Sequence, residues 1–247
     1  MKRLEEQALT PMYGEHPVEL GLREGDGFLP ALRSDADYRA MFARAFPGES
    51  DPIAMANVTK ALACFERSIL SARSSYDRYH YGGDDNAVSA SAKRGEIVFF
   101  DQRHSCFRCH GGFNFSSDTV SERHPDREIE FHNTGLYNLA GAFSYPAQNL
   151  GIYDYTKASA DVGKFKAPTL RNIAVTAPYM HDGSIRTLGE VLDHYAAGGR
   201  AHGNPNRDPL IHGFAMTTQD RADLIAFLQA LTDEAVLVDP RFADPNK

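Results

Sequence analysis

Cysteine is scarce in this sequence, and the scarcity limits what the few cysteines can do. Three occur in 247 residues, and two of them fall within Cys106-Phe107-Arg108-Cys109-His110. A structural zinc site needs four ligands, usually from two such knuckles, and the remaining Cys64 stands alone far upstream. A thioredoxin-like dithiol would sit beside a strand-helix-strand pattern, and none is visible. Cys64 itself lies on a helical pattern and reads as a small buried apolar residue. Long apolar runs are lacking as well: no stretch approaches the roughly 18 consecutive apolar residues of a membrane span. Basic runs are missing and the net charge is −7, which argues against nucleic acid as a partner. Neither a repeat of fixed period nor a low-complexity segment is present.

What is there centres on the pentapeptide. C-x-x-C-H is the attachment signature of c-type haem: both thiols form thioethers with the haem vinyl groups, and the adjoining imidazole becomes the proximal iron ligand. Cys106, Cys109 and His110 are therefore the expected haem-binding residues. Covalent haem is normally assembled in the bacterial periplasm, behind a cleaved leader. Met1-Lys2-Arg3-Leu4-Glu5-Glu6 opens instead into an acidic, amphipathic stretch with no apolar leader core. The expectation is a periplasmic protein whose sequence here begins inside a longer one.

Taken in order, the chain is dominated by helix signals. Residues 1–50 read as a short helix, Leu4 to Leu9, then a loop punctuated by Pro11, Gly14, Pro17, Gly21, Gly25 and Gly27, then a helix near Asp35 to Phe46. Asp51-Pro52 has the form of an N-cap with proline at the first helical position. Behind it Val58, Leu62, Phe65 and Ile69 recur at helical spacing and give an apolar face. Ser74 to Asp85 is polar and tyrosine-rich and reads as a turn region at a domain boundary. Ser89 to Phe100 is a helix leading into the haem motif. Gly111 to Gly163 is loop-rich, a length that an organising group such as haem makes compatible with a compact domain. Thr187-x-x-Glu190 is a capping box opening a helix that closes at Gly198-Gly199. A last helix, about Thr217 to Leu231, buries Leu224, Ile225, Phe227, Leu228 and Leu231, with the helix before the haem motif as expected partner. The tail after Asp233 reads as irregular.

The iron's second axial ligand decides between electron transfer and catalysis. Met180, His181, His194, Tyr195, His202, His212 and Met216 are the candidates downstream. In the capped helix Leu188, Val191, Leu192 and Tyr195 share one stripe, and His194 lies off it. On spacing alone Tyr195 reads as a buried core aromatic rather than as a ligand.

Several stretches together resemble the bacterial di-haem cytochrome c peroxidases and the related MauG enzymes. They are LEEQALTP with PVELG (Leu4 to Gly21), SSYDRYHYGG, CFRCHGGFNF, FHNTGL, GKFKAPTLRNIAVTAPYMHDGS and TLGEVLDHYAAGG. Within that group the sequence is most similar to MbnH-like enzymes associated with methanobactin-type gene clusters. The resemblance implies an all-α fold of two cytochrome c domains, with residues 1–82 the later part of the first, peroxide-reacting domain and 83–247 the second. It implies Tyr195 as the ligand opposite His110, where MauG-like enzymes carry Tyr in place of Met. Gln7, Pro11 and Glu19 match the distal pocket of the first haem, Glu19 as acid/base and Gln7 as orienting group, with Glu15 a competing choice because the spacing is two residues longer. Thr176 and Pro178 match positions whose backbone carbonyls bind calcium.

The implied activity is oxidoreductase chemistry. Hydrogen peroxide takes two electrons from a haem pair, and the resulting high-valent state oxidises a partner protein side chain such as Trp, or draws on a small redox protein. There are departures. A first C-x-x-C-H, its histidine and the calcium-binding Asn have no counterpart, so one haem c is expected on this chain and two in the parent family. Tryptophan, often the relay between the haems, is absent altogether. The rival expectation is a mono-haem electron carrier without catalysis.

Overall fold

The helix signals become short, capped helices in a computed structural model of the chain, which describes residues 3–15, 18–23, 25–119, 122, 128–142, 144–146 and 149–244. Pro17, part of the expected first loop, lies outside them. Two compact units part at Leu70: Met1–Leu70 and Ser71–Lys247. Among the described residues no helix is long and apolar enough to cross a membrane.

The first unit holds α1 (Leu4–Gln7), α2 (Leu9–Tyr13), α3 (Phe28–Ser34), α4 (Ala36–Ala45) and α5 (Met55–Ser68). The expected Leu4 to Leu9 helix thus breaks at Ala8, and α3 forms where a loop was read. Asp35 caps α4 by accepting from the Asp37 and Tyr38 amides at 2.8 and 3.2 Å. Asp51 does not cap α5: its carboxylate is taken by Arg33 Nη2 at 2.7 Å, and the helix starts later, at Met55. Phe42, Ile53 and Val58 make a small core with Phe28, Leu29, Leu32, Phe46 and Met55 around it.

The apolar face read on α5 is only partly a buried one. Val58, Thr59 and Ala63 face inward, while Leu62, Phe65 and Ile69 are 39, 49 and 43% exposed and Cys64 is exposed too. α5 packs against α1, with Arg67 bound to Glu5 at 2.7 Å, and Ala63 is its fully buried residue. The expectation of a buried Cys64 is corrected accordingly.

The second unit carries α6 (Ser75–His80), α7 (Ala90–Phe100), α8 (Cys106–Cys109), strand β1 (Phe131–His132), α9 (Tyr153–Thr156), strand β2 (Phe165–Lys166), α10 (Leu188–Ala196), α11 (Thr218–Ala230) and α12 (Glu234–Leu237). Ser74 to Asp85 is therefore not simply a turn. Ser74 and Asp77 cap each other, α6 follows, and Tyr76 drives its ring into the core. Nor is the tail irregular, since Asp233 caps α12 through the Ala235 and Val236 amides.

α7 and α11 are the principal pair, as the sequence predicts. They approach so closely at Gly95 that a Cβ there would lie 1.9 Å from the Asp223 carbonyl oxygen. Phe99, Leu224, Phe227 and Leu231 are almost fully buried along this seam, each contributing about 1.5–3 kcal/mol of apolar burial. The long loop region is organised by β1 and β2, antiparallel with His132 opposite Phe165. Fully buried Asn133 ties it further, donating to Val162 O at 3.0 Å and accepting from the Gly135 amide at 2.9 Å and Tyr145 at 3.2 Å.

Candidate haem site

α8 is a single helical turn. It begins after Ser105, which sits in the left-handed region at φ 54, and ends as the His110 amide donates to Cys106 O at 3.0 Å. Residues three apart on a helix share a face, so one turn presents both sulfurs together. The Ser117 hydroxyl and amide both donate to Cys109 O, at 2.8 and 2.9 Å, and fold the following loop back under the motif.

That loop fixes His110. Its Nδ1 lies 3.2 Å from Phe115 O and 3.1 Å from Pro168 O. Carbonyls only accept, so Nδ1 carries the proton and the Nε2 lone pair is left for a metal. Burial holds the His110 pKa below its ordinary value, the two carbonyl contacts opposing it, and the ring is a neutral ligand. The two carbonyls are themselves held. Ser116 Oγ donates to Ala167 O at 2.8 Å, the Ala167 amide donates to Asp118 at 2.9 Å, and Arg171 binds Phe113 O at 2.7 Å.

Tyr195 is half-buried on α10, beyond the Thr187–Glu190 capping box that sets the helix's start. Its phenol is pushed well above the usual range, first by burial and then by the sulfurs of Cys109 and Cys106. His194, read as lying off the buried stripe, is in fact buried, with Nε2 2.9 Å from Thr134 O. His181 stacks on Phe165 at 3.9 Å, Met180 packs by Tyr179 and Ile185, and His212 Nδ1 contacts Gly213 O. His202 is exposed. Met216 packs against the main core, as do Cys106 and Phe107, and is the second candidate by position.

Two residues escaped the sequence reading. His132, inside FHNTGL, is buried with Nδ1 2.7 Å from Asp208 Oδ2, and its Nε2 is buried without a hydrogen bond. Asp208 first, then Cys109, push its pKa up to about 10 against the effect of burial. A cationic imidazole therefore borders Cys109. The motif offered a signal for His132 in a buried polar residue next to Asn133; nothing local pointed to Asp208.

In the first unit the Leu20 amide donates to Pro11 O at 3.0 Å and the Leu22 amide to Met12 O at 2.9 Å, which folds the chain back and brings Glu19 beside Pro11. Glu15 is instead engaged in a bridge with Val18. Gln7 ends α1, and both Gln7 and Glu19 are exposed. Thr176 and Pro178 are exposed on the segment after a 3-10 turn, Ile173–Val175, with Ala177-Pro178 cis.

Two thiols on one turn and a neutral imidazole whose proton sits on Nδ1 form a donor set that fits haem c. A model of the di-haem cytochrome c peroxidase family matches residues 1–86. The MauG methylamine utilization protein of Methylophilus methylotrophus is 32% identical over 95% of this chain and 63% of its own length. The chain thus spans somewhat less than two thirds of that curated relative. A solved MauG-like protein associated with microbial copper homeostasis superposes with a TM-score of 0.90 at 41% identity, covering 99% of this chain and 73% of that one. A diheme peroxidase from Burkholderia thailandensis, 21% identical with a TM-score of 0.68 over 94% of this chain and 64% of its own, shares the fold. On these grounds the chain belongs to the di-haem cytochrome c peroxidase and MauG family.

Proposed function

We propose that the chain is the greater part of a peroxide-using haem c oxidoreductase of the MauG type, exported to the periplasm, with the first unit, residues 1–70, belonging to a peroxide-reacting domain and the second, 71–247, forming the domain that holds a covalent haem. Cys106 and Cys109 would carry the thioethers to haem c, and His110 Nε2 and the Tyr195 oxygen would hold its iron. Bound there, haem c would supply the redox chemistry by which hydrogen peroxide oxidises a partner protein side chain, Trp among them, or a small redox protein. The observation that carries this reading is the C-x-x-C-H turn with His110 held by the Phe115 and Pro168 carbonyls so that Nε2 is left for a metal, with Tyr195 on the capped helix α10 as the phenol. Electron carriers more often use Met or His, which hold ferrous iron, whereas an anionic phenolate favours the oxidised metal.

The protein's own groups do the rest. The Phe115 and Pro168 carbonyls keep the His110 proton on Nδ1. Pro11 and the backbone bond to Leu20 keep Glu19 at the turn where it moves a proton between peroxide oxygens, and Gln7 orients them. The Thr176 and Pro178 carbonyls would be ligands for calcium, a hard cation that takes oxygen donors.

Replacing Tyr195 by Phe keeps the ring and removes the oxygen. The expected result is an altered ferric optical and EPR spectrum, with Tyr195→Met giving a His/Met spectrum and a raised reduction potential. An unchanged ferric spectrum in Tyr195→Phe makes Tyr195 a core residue and turns the search to Met216. A reversible redox cycle with no response to peroxide, in a protein carrying both haems, makes the chain an electron-transfer cytochrome instead.

A further inference from the structure

One residue touches both the proximal histidine and a buried tyrosine. The Phe115 carbonyl lies 3.2 Å from His110 Nδ1, and the Phe115 ring meets the Tyr76 ring edge-on, with centroids 5.4 Å apart at 69°. Tyr76 is 3% exposed in the main core, also edge-on to Phe227 at 5.3 Å. Its hydroxyl donates to Glu96 Oε1 at 2.9 Å and lies 3.1 Å from His80 Nδ1, and His80 in turn lies 3.3 Å from Glu96. From Tyr76 a run of rings leads outward: His80 stacks on it at 5.1 Å, and Tyr81, 58% exposed, meets His80 at 4.8 Å.

A phenol that loses an electron becomes a very strong acid, so a tyrosine can pass electrons repeatedly only where a base within hydrogen-bond reach takes and returns its proton. Tyr76 has that base in Glu96. Tyr145, also buried, donates to the Asn133 amide oxygen and lies near Gly163 O, neither of which can hold a proton. Tyr137 does donate to the Asp182 carboxylate, yet among the described residues its ring contacts, to Tyr145 and His181, do not lead to Phe115 or His110. Burial and the Glu96 bond keep the Tyr76 phenol protonated at rest.

The geometry points to Tyr76 as a redox-active relay between the His110 haem and a donor at the surface near Tyr81, with Glu96 as its proton acceptor. The inference rests on the peroxide-using reading for its oxidant. Tyr76 gives one electron to the oxidised haem and its proton to the Glu96 carboxylate, leaving a neutral phenoxyl and a neutral carboxylic acid. The phenoxyl then takes one electron from an external phenol, indole or redox protein, and the proton returns from Glu96. Two such passes supply the two electrons that one peroxide consumes.

The test uses the ferric holoprotein, mixed with hydrogen peroxide in one sample and oxidised by a photo-excited ruthenium complex in another, both frozen for EPR. Expected is a tyrosyl signal in the wild type that Tyr76→Phe loses and Tyr137→Phe keeps. Tyr76→Phe retains the ring that packs on Phe115 and Phe227, so loss of the core does not explain that result. In Glu96→Gln, which keeps an acceptor but cannot hold the proton, the signal forms more slowly. A signal that survives Tyr76→Phe in both samples, or no tyrosyl signal in either, overturns the relay; an unchanged rate in Glu96→Gln overturns its proton step. A Tyr76 signal under the photo-oxidant alone supports the relay and overturns the peroxide reading.

Discussion

Arg171 grips Asp77 across 94 residues of sequence with two parallel bonds, Nη1 to Oδ2 at 2.9 Å and Nη2 to Oδ1 at 3.0 Å. The same guanidinium donates to Phe113 O at 3.0 and 2.7 Å and lies 4.1 Å over the Phe113 ring. It therefore joins α6, the loop after His110 and the segment that supplies Pro168 O. Both partners are buried, and burial opposes the ionised Asp77, but Arg171 and Ser74 hold its carboxyl below the usual value.

Removing one partner leaves the other charged and unpaired in the core. Arg171→Met is expected to destabilise the holoprotein by about 3–5 kcal/mol in urea unfolding. The double variant Arg171→Met with Asp77→Leu should recover much of that loss, because a buried pair replaced by apolar groups costs little. A double variant no more stable than Arg171→Met alone would show that the bonds to Phe113 O carry the effect.

Acid stability should depend on Asp223. It accepts from Ser91 Oγ at 2.5 Å, from Arg94 Nε and Nη2 at 2.7 Å each and from Gln219 at 2.9 Å. Arg94 first, then Ser91, lower its pKa from 3.8 to about 2. A folded pKa below the unfolded one adds stability at pH above the unfolded value, and that stability is lost as pH falls through the folded value. The denaturation midpoint should therefore drop between about pH 4 and pH 2, and Asp223→Asn should be less stable at pH 7 and flatter across that window.

Gly95 tests the α7 and α11 crossing. Alanine is the better helix former by about 1 kcal/mol, and at an exposed site the change would stabilise. Here the added Cβ would meet the Asp223 carbonyl oxygen at 1.9 Å and Phe227 Cβ at 2.8 Å. Backbone cannot swing aside as a side chain can, so Gly95→Ala should cost more than the propensity gain, a net loss of about 1–3 kcal/mol. Thermal unfolding of the variant, read at the haem band and by circular dichroism, checks it.

These contacts show where sequence reading reached and where it stopped. The α10 and α11 helices were legible because their signals are local: Thr187 with Glu190, a run of apolar residues at helical spacing, and Gly198 at φ 77 just past the end. C-x-x-C-H was legible because all three groups lie within five residues. α5 was read only in part, since periodicity reveals an apolar stripe but not what covers it, and Ala63 rather than Phe65 is the buried residue. α6 was missed because its capping pair, Ser74 and Asp77, is hidden in a tyrosine-rich stretch that resembles turn composition. His132 with Asp208, 76 residues apart, and Arg171 with Asp77 are pairings that only the folded chain creates.

The three thiols should differ sharply in what they can bind and react with. α8 sets Cys106 and Cys109 on one face with His110 closing the turn, an arrangement suited to two thioethers. Burial pushes the Cys106 thiol up to about 12, whereas Cys64 is exposed on α5. In the haem-free chain at pH 8 an alkylating reagent should thus modify Cys64 well before Cys106, because the thiolate is the nucleophile. Once haem is attached, Cys64 alone should react with a thiol reagent, and Cys64→Ala should abolish the reaction without altering the haem. Single variants, Cys106→Ala or Cys109→Ala, should keep one thioether and give a pyridine haemochrome band intermediate between those of haem c and haem b. The double variant should release its haem into acidified acetone. Haem that stays covalently bound in the double variant, or Cys64→Ala that loses it, would show that the attachment lies elsewhere.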